Sequence, residues 1–444
     1  MSRLITPAFG PLSRRDFLRT AFWSAGAAGT LGLAGCGGGS DNPPDGGTPG
    51  GSVQSRFASI GPLQAPDENG LRLPAGFTSR VVAVSGQLVP GTLNLWHIYP
   101  DGGATFPTAD GGWVYTSNSE VPAIGGVGAL KFDRDGAIVD AYRILRGTSS
   151  NCAGGKTPWG SWLSCEEVDA GQVFECDPQQ AGNGTARPLL GLFKHEAVAV
   201  DPQQRQLFLT EDTTEGRFYR CTPDATDWPS GAARPALQAG KLQVLRYAEL
   251  AQNEHPPAGF DLTRPRAVVW QDVVEPGQAQ AGVRSGLGAA APGTAFRGGE
   301  GLWYRDGLVY FSTKGDNRIW CHDTRAQTLE VIYDFETATA ADKILSGVDN
   351  LTISEFGDVL VAEDGGDLQI CVILPDRRVL PLLQVTNAAG EPDLESEVTG
   401  PAFSPDGSRL YFSAQRSGRL GRAGTGITFE VTLPFSACPS GVCP

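Results

Sequence analysis

"GLWYRDGLVYFSTKGD", residues Gly301–Asp316, starts apolar, breaks at Asp306-Gly307, resumes as Leu308-Val309-Tyr310-Phe311 and ends in polar residues. Two short apolar runs around an Asp-Gly pair are the pattern of a β-hairpin. The same plan recurs in "ADGGWVYTSNSE" (109–120), "PWGSWLSCEE" (158–167), "AVAVDPQQRQLFLTED" (197–212), "LTISEFGDVLVAEDGG" (351–366) and "PAFSPDGSRLYFSAQR" (401–416). Each is followed by a further β run, such as "RIWCHDTRAQTLEVIYDF" (318–335). One hairpin cannot bury its own apolar face, but repeats at this spacing can bury one another. The expected fold is therefore all-β, a six-bladed β-propeller with loop insertions over residues 55–435. A pair of β-sandwiches would use similar strands but gives no reason for the recurring polar strand ends. Residues 222–295 read as an excursion, with "GQAQAGVRSGLGAAAPGT" (277–294) as a mobile loop and 436–444 as a short tail.

The front of the chain reads as an export signal. Ser13-Arg14-Arg15-Asp16-Phe17-Leu18 has the twin-arginine pattern, and the apolar stretch from Thr20 to Gly35 is too short to span a bilayer. Leu33-Ala34-Gly35-Cys36 is the pattern read by a lipoprotein signal peptidase. The expectation is a signal peptide over 1–36, lipidation at Cys36, and a Gly/Pro-rich tether over 37–54. The protein would then be periplasmic or on the cell surface, meeting a membrane only through that anchor.

The chain carries a net charge of −14, and loss of a leader with Arg3, Arg14, Arg15 and Arg19 against Asp16 leaves −17. So acidic a surface argues against nucleic acid, which requires basic patches. It suits divalent cations. The nine cysteines include no CxxC pair and there are only four histidines, so neither a zinc finger nor a Ser-His-Asp hydrolase is indicated. Cys438 and Cys443 are close enough in sequence to close a small loop, and Cys165 and Cys176 lie on consecutive strands where they could pair.

The polar strand ends align across the repeats. They supply Glu120, Glu166 with Glu167, Glu211 with Asp212, Asp316, Glu363 with Asp364, and Gln415; ahead of the same hairpins stand Cys152, Glu196, Glu300, Asp349 with Asn350, and Gly400. In a propeller, equivalent ends of the inner strands converge on one mouth of the central channel. Carboxylates gathered there repel unless cations neutralise them. Oxygen ligands suit calcium, whereas the thiolate of Cys152 would call for a transition metal. His195 could orient the neighbouring Glu196.

With these residues in hand, the chain resembles the PhoX-like family of secreted alkaline phosphatases. The stretches that carry the resemblance are "SRRDFL", "NCAGGKTPWGSWLSCEE", "HEAVAVDP", "LFLTEDTTEGRFYR", "GGEGLWY", "VYFSTKGDNRIW", "VDNLTISEFGDVLVAEDG" and "GPAFSPDGSRLYFSAQ". The resemblance implies a six-bladed propeller, a cofactor of iron and calcium, and hydrolysis of a small phosphorylated substrate by a monomeric protein. It puts the iron-ligating thiolate at Cys152 and further ligands at Glu167, Glu196, Glu300 and Asp349, with Asp212 and Glu363. Two positions depart from the family pattern. An Asn-His-Glu near the first repeat reads Asn118-Ser119-Glu120, and an arginine expected two residues before Glu300 is Gly298. Arg297 or Lys156 would then have to grip phosphate, which makes Cys152, Glu300 and Arg297 the catalytic candidates. The competing readings are a calcium-dependent, lactonase-like hydrolase and a non-catalytic metal-binding lipoprotein.

Overall fold

The computed structural model describes residues 55–417, 419, 425–440 and 443; the expected signal peptide, Cys36 and the tether lie outside these residues. The described chain is all-β, and its antiparallel sheets are arranged like the blades of a propeller. The first sheet is a meander of Pro100–Pro107, Trp113–Ser119, Gly125–Phe132 and Ile138–Thr148. Gly155–Lys156 begins the next and His195–Asp201 a nine-stranded one, which continues through Arg266–Asp272 and ends on Gly299–Arg305. Val348–Ile353 and Val398–Phe403 open the last two sheets. The N-terminal strand Thr78–Val84 completes the last of these by pairing with Ile427–Thr432, so chain ends far apart in sequence close the structure.

The strands that begin each hairpin pack beside one another around the centre: 100–107 lies against 398–403, 398–403 against 348–353, 348–353 against 299–305, and 299–305 against 195–201. The apolar residues form seams between sheets. Leu360, Ile370 and Leu383 of one sheet meet Phe412, Phe429 and Val431 of the next.

Each long central strand carries a register shift just after its start, between Pro100 and Gly103, His195 and Val198, Gly299 and Leu302, Val348 and Leu351, and Thr399 and Ala402. A bulge adds a residue to one strand and re-aims the side chains around it. Small residues follow because the strands approach too closely for more. A Cβ on Gly102 would lie 1.9 Å from the Ala153 carbonyl oxygen, and one on Gly301 would lie 2.6 Å from the Leu351 nitrogen.

Two expectations are corrected here. Gln280–Leu287, inside the stretch read as a mobile loop, is an α-helix, whose Arg284 reaches Glu211 at 2.6 Å. Cys165 and Cys176 are both free and buried, facing different apolar clusters. Cys438 and Cys443 do form a disulfide, which packs with Ala437 into the last apolar seam.

Candidate metal centre

Four of the five bulges turn an acidic residue toward the channel, and the fifth carries Gly400. Asp101, Glu196, Glu300 and Asp349 each occupy the first bulged position. Cys152 stands at the matching place in its sheet, between the Asn151–Glu166 bridge and the Gly155–Leu163 pair. A second row comes from the residues that follow or end the partner strands: Glu120, Glu167, Asp212, Lys314, Asp364 and Gln415.

These side chains meet in four overlapping groups: Asp101, Glu120 and Cys152; Cys152, Glu167 and Glu196; Glu196, Glu300 and Asp349; and Asp349, Asp364 and Glu397. Within each group the ligand atoms lie within 4.8 Å of one another. Cys152, Glu196 and Asp349 each belong to two groups, so the set is a continuous chain of donors across the channel mouth.

The paired acids at the strand ends divide their work, because successive strand residues point to opposite sides. Glu166, Glu211 and Glu363 turn away from the channel. Glu166 accepts the N–H groups of Ser149 (2.9 Å) and Gln172 (3.1 Å). Glu211 accepts the Arg217 N–H (3.0 Å), the Tyr219 hydroxyl (2.8 Å) and Arg284. Glu363 accepts the N–H groups of Ser346, Gln369 and Asp367 at 2.8, 3.0 and 3.2 Å. Glu363, expected among the ligands, thus closes a turn, and its neighbour Asp364 takes the place at the mouth.

Burial and crowding determine the protonation of the cluster. Desolvation, then the charges of neighbouring carboxylates, holds Asp101, Glu196 and Glu397 well above the usual carboxylate range. Burial raises Glu300 too, against the pull of the Lys314 ammonium. Asp349 and Glu167 are pushed up to about 7, chiefly by burial. The Cys152 thiol is raised by burial and then by Asp101 and Glu196.

Some counter-charge is built in. Lys314 Nζ lies 3.1 Å from Glu300 and 3.0 Å from Asp364. Arg416 lies 3.2 Å from Glu120 and 3.3 Å from Glu397, and Lys194 is 3.8 Å from Glu167. Gln415 donates its amide to Asp101 (2.8 Å) and Glu120 (2.9 Å). One Glu196 oxygen accepts the Ala153 N–H at 3.1 Å, while the other, buried, has no hydrogen-bond partner among the described residues.

Of the sequence candidates, Cys152, Glu120, Glu167, Glu196, Glu300 and Asp349 come together. Asp212 sits at their edge, with its Oδ1 2.9 Å from where a Cβ on Gly298 would be. Arg297 is exposed and its charge acts on Asp316, outside the groups. Lys156 lies on the far side of the channel throat, beside Phe106 and Trp303. His195 stacks on Phe193 and bonds the Gly191 carbonyl at 3.2 Å, so it does not orient Glu196.

Sequence reasoning missed Asp101, Glu397, Lys314 and Arg416. Asp101 did leave a signal, since it precedes Gly102 as Glu300 precedes Gly301, but Pro100-Asp101-Gly102-Gly103 reads as a turn. Glu397 and Arg416 join from a loop and a turn whose approach depends on the last sheet.

Comparison with known proteins finds chains of similar fold. The structure of Pseudomonas fluorescens PhoX in complex with vanadate, a transition state analogue, superposes with a TM-score of 0.65 at 16% identity, covering 86% of this chain and 98% of that one. A gluconolactonase from Xanthomonas campestris aligns with a TM-score of 0.43 at 13% identity, over 84% of this chain and 98% of that one. No curated protein sequence matches the chain. The profile of the family described as Alkaline phosphatase PhoX matches residues 121–172, 168–330 and 321–418, a span that begins just after Glu120 and holds Cys152, Glu167, Glu196, Glu300 and Asp349. On the strength of that match, the chain belongs to the PhoX alkaline phosphatase family.

Proposed function

We propose that this protein is an exported, metal-dependent phosphatase that hydrolyses phosphate monoesters at the channel mouth. The observation that carries this reading is the thiol shared with carboxylates. Cys152 lies within 4.8 Å of ligand oxygens on both sides, Asp101 and Glu120 on one and Glu167 and Glu196 on the other. The donor set fits a mixed metal group: so many buried carboxylates remain charged only beside cations, and the unpartnered Glu196 oxygen is aimed among them. Cys152 with Glu167 and Glu196 would hold iron, and the all-oxygen groups around Glu300, Asp349, Asp364 and Glu397 would hold calcium. Metal ions in such a site polarise phosphoryl oxygens and offset the charge that develops in transfer.

The remaining work falls to the chain itself. The Ala153 N–H fixes one Glu196 oxygen and leaves the other free to bind. Gln415 holds Asp101 and Glu120 in one orientation. Lys314 and Arg416 keep positive charge at the mouth, where a phosphate would enter. The proposal takes the nine-stranded sheet as two blades, 195–247 and 299–334, joined through Arg266–Asp272, which would bring the five sheets to six blades. Export by the twin-arginine route, lipidation at Cys36 and a monomeric state complete the proposal.

The test is elemental analysis of the exported protein together with an assay on a generic phosphomonoester, for the wild type and Cys152→Ala. Iron and calcium in the wild type, with turnover that falls by orders of magnitude when the thiol is removed, are expected. One observation favours a second reading, a metal-dependent hydrolase of other esters: the position two residues before Glu300 is Gly298, and the neighbouring Arg297 is exposed, with its charge acting on Asp316. A metal-loaded protein inert on phosphomonoesters would support it.

A further inference from the structure

The end of the channel opposite the carboxylate cluster has a different chemistry. Beyond the bulges the channel narrows to a throat of about 20 Å³ lined by Gly102, Ala153, Ala197, Gly301 and Gly400. Below it the channel opens into a cavity of about 820 Å³. A volume of this order suits a small-molecule ligand, commonly held in roughly 300–1,000 Å³. The cavity holds none of the grouped acids.

Its wall is mostly apolar, with Phe106, Val198, Val200 and Trp303 prominent. Lys156 also lines it, with Nζ 6.0 Å from the centre of the Phe106 ring. No carboxylate or hydrogen-bond acceptor meets this ammonium among the described residues, and burial alone lowers its pKa to about 8. The other cation of the wall, Arg305, is spent on the carbonyls of Ser354 and Glu355 and on Asp306, a carboxylate of the same wall, 3.7 Å away. Trp303 makes no hydrogen bond through its indole N–H among the described residues, which leaves a donor in the same wall. An unpaired cation on apolar surface costs stability unless an anion meets it. An anionic ligand seated in the cavity would supply that partner.

We propose that this cavity is a second binding site, separate from the metal centre, for a small amphiphilic anion. Its single anionic head pairs with Lys156 and its apolar body lies against Phe106, Val198 and Trp303. Neutral apolar molecules lack the partner for Lys156, and multiply charged ones do not suit the wall.

The test uses the full chain and anilinonaphthalene sulfonate, an aromatic anion, as a fluorescent probe, with decanoate and decanol as competitors. The expected result is saturable, one-site binding that weakens at least about tenfold in Lys156→Met, recovers in Lys156→Arg and weakens in Trp303→Ala. Decanoate should displace the probe from the wild type far better than decanol, and the preference should vanish in Lys156→Met. Circular dichroism and melting of each variant establish that it is folded. Glu196→Gln, at the other mouth, should bind the probe normally. Binding indifferent to Lys156→Met, or no saturable binding up to millimolar probe, would overturn the proposal. So would binding that emerges only when residues 1–54 are removed, which would make the chain's own N-terminal segment the occupant.

Discussion

Replacing Glu196 with glutamine should change stability in opposite directions with and without metal. Glu196 is almost fully buried and belongs to two donor groups, in which ligand atoms lie within 4.8 Å of one another. At that distance each ionised neighbour costs about 3.5 kcal/mol at an effective dielectric constant of 20. Two such neighbours exceed the roughly 5 kcal/mol needed to protonate an ordinary glutamate at pH 8, so protonation caps the penalty near that value. Glutamine keeps the shape, removes the charge and can still accept the Ala153 N–H. In chelator at pH 8 the variant should gain about 2–5 kcal/mol, which is roughly 3–6 °C in melting temperature for a chain of this length. With iron and calcium supplied it should instead melt below the wild type, because a ligand of two sites is lost, with metal affinity down by at least about 100-fold. The assay is thermal melting at pH 8 with and without chelator, with metal content measured on the same samples. A variant that melts at or below the wild type in chelator would refute the repulsion argument. One indifferent to added metal would refute the ligand assignment.

If the proposed metals are bound, Cys152→Ala should lose iron and keep most calcium by elemental analysis, since the other two groups offer oxygen alone. Gly102→Ala should lower the unfolding free energy from denaturant titration by at least about 3 kcal/mol, because the new Cβ meets the Ala153 carbonyl at 1.9 Å, whereas Gly61→Ala, with nothing within 4 Å, should stay within about 0.5 kcal/mol. Gly298→Arg should cost about 1–2 kcal/mol because φ there is +67°, yet should lower KM for a phosphomonoester about fivefold if phosphate is the substrate; an unchanged KM favours the second reading. Burial lowers the His322 pKa to about 4, below its usual 6.5. Its neutral form is the one the fold favours, so its contribution is complete above pH 6.5 and is lost as pH falls toward 4. His322→Gln should therefore flatten acid destabilisation over that window by roughly 3 kcal/mol in melts run from pH 7 to 4.

The hairpin repeats are legible in the sequence because alternation and Asp-Gly turns are local signals, stated within a dozen residues. So are the recurring acids and the Cys152 motif, which mark Glu120, Glu196, Glu300 and Asp349 by their position in the repeat, and the pair Glu166 and Glu167 without choosing between them. Which acid of each pair faces the channel is not legible. Glu363 and Asp364 are chemically alike, and strand pairing alone sends one to three backbone N–H groups and the other to the mouth. Asp101 reads as part of a turn because a bulge and a tight turn use the same Asp-Gly residues. Lys156 lies only four residues after Cys152, yet the direction of the inner strand carries it through the throat to the opposite cavity. Arg416 meets Glu120 at 3.2 Å only because the last sheet packs beside the first. Sequence thus determined which residue types recur and at what spacing. The bulges and the closure of the ring decided which of them share a wall, because side-chain direction in a strand reverses with every residue and depends on partners far away in the chain.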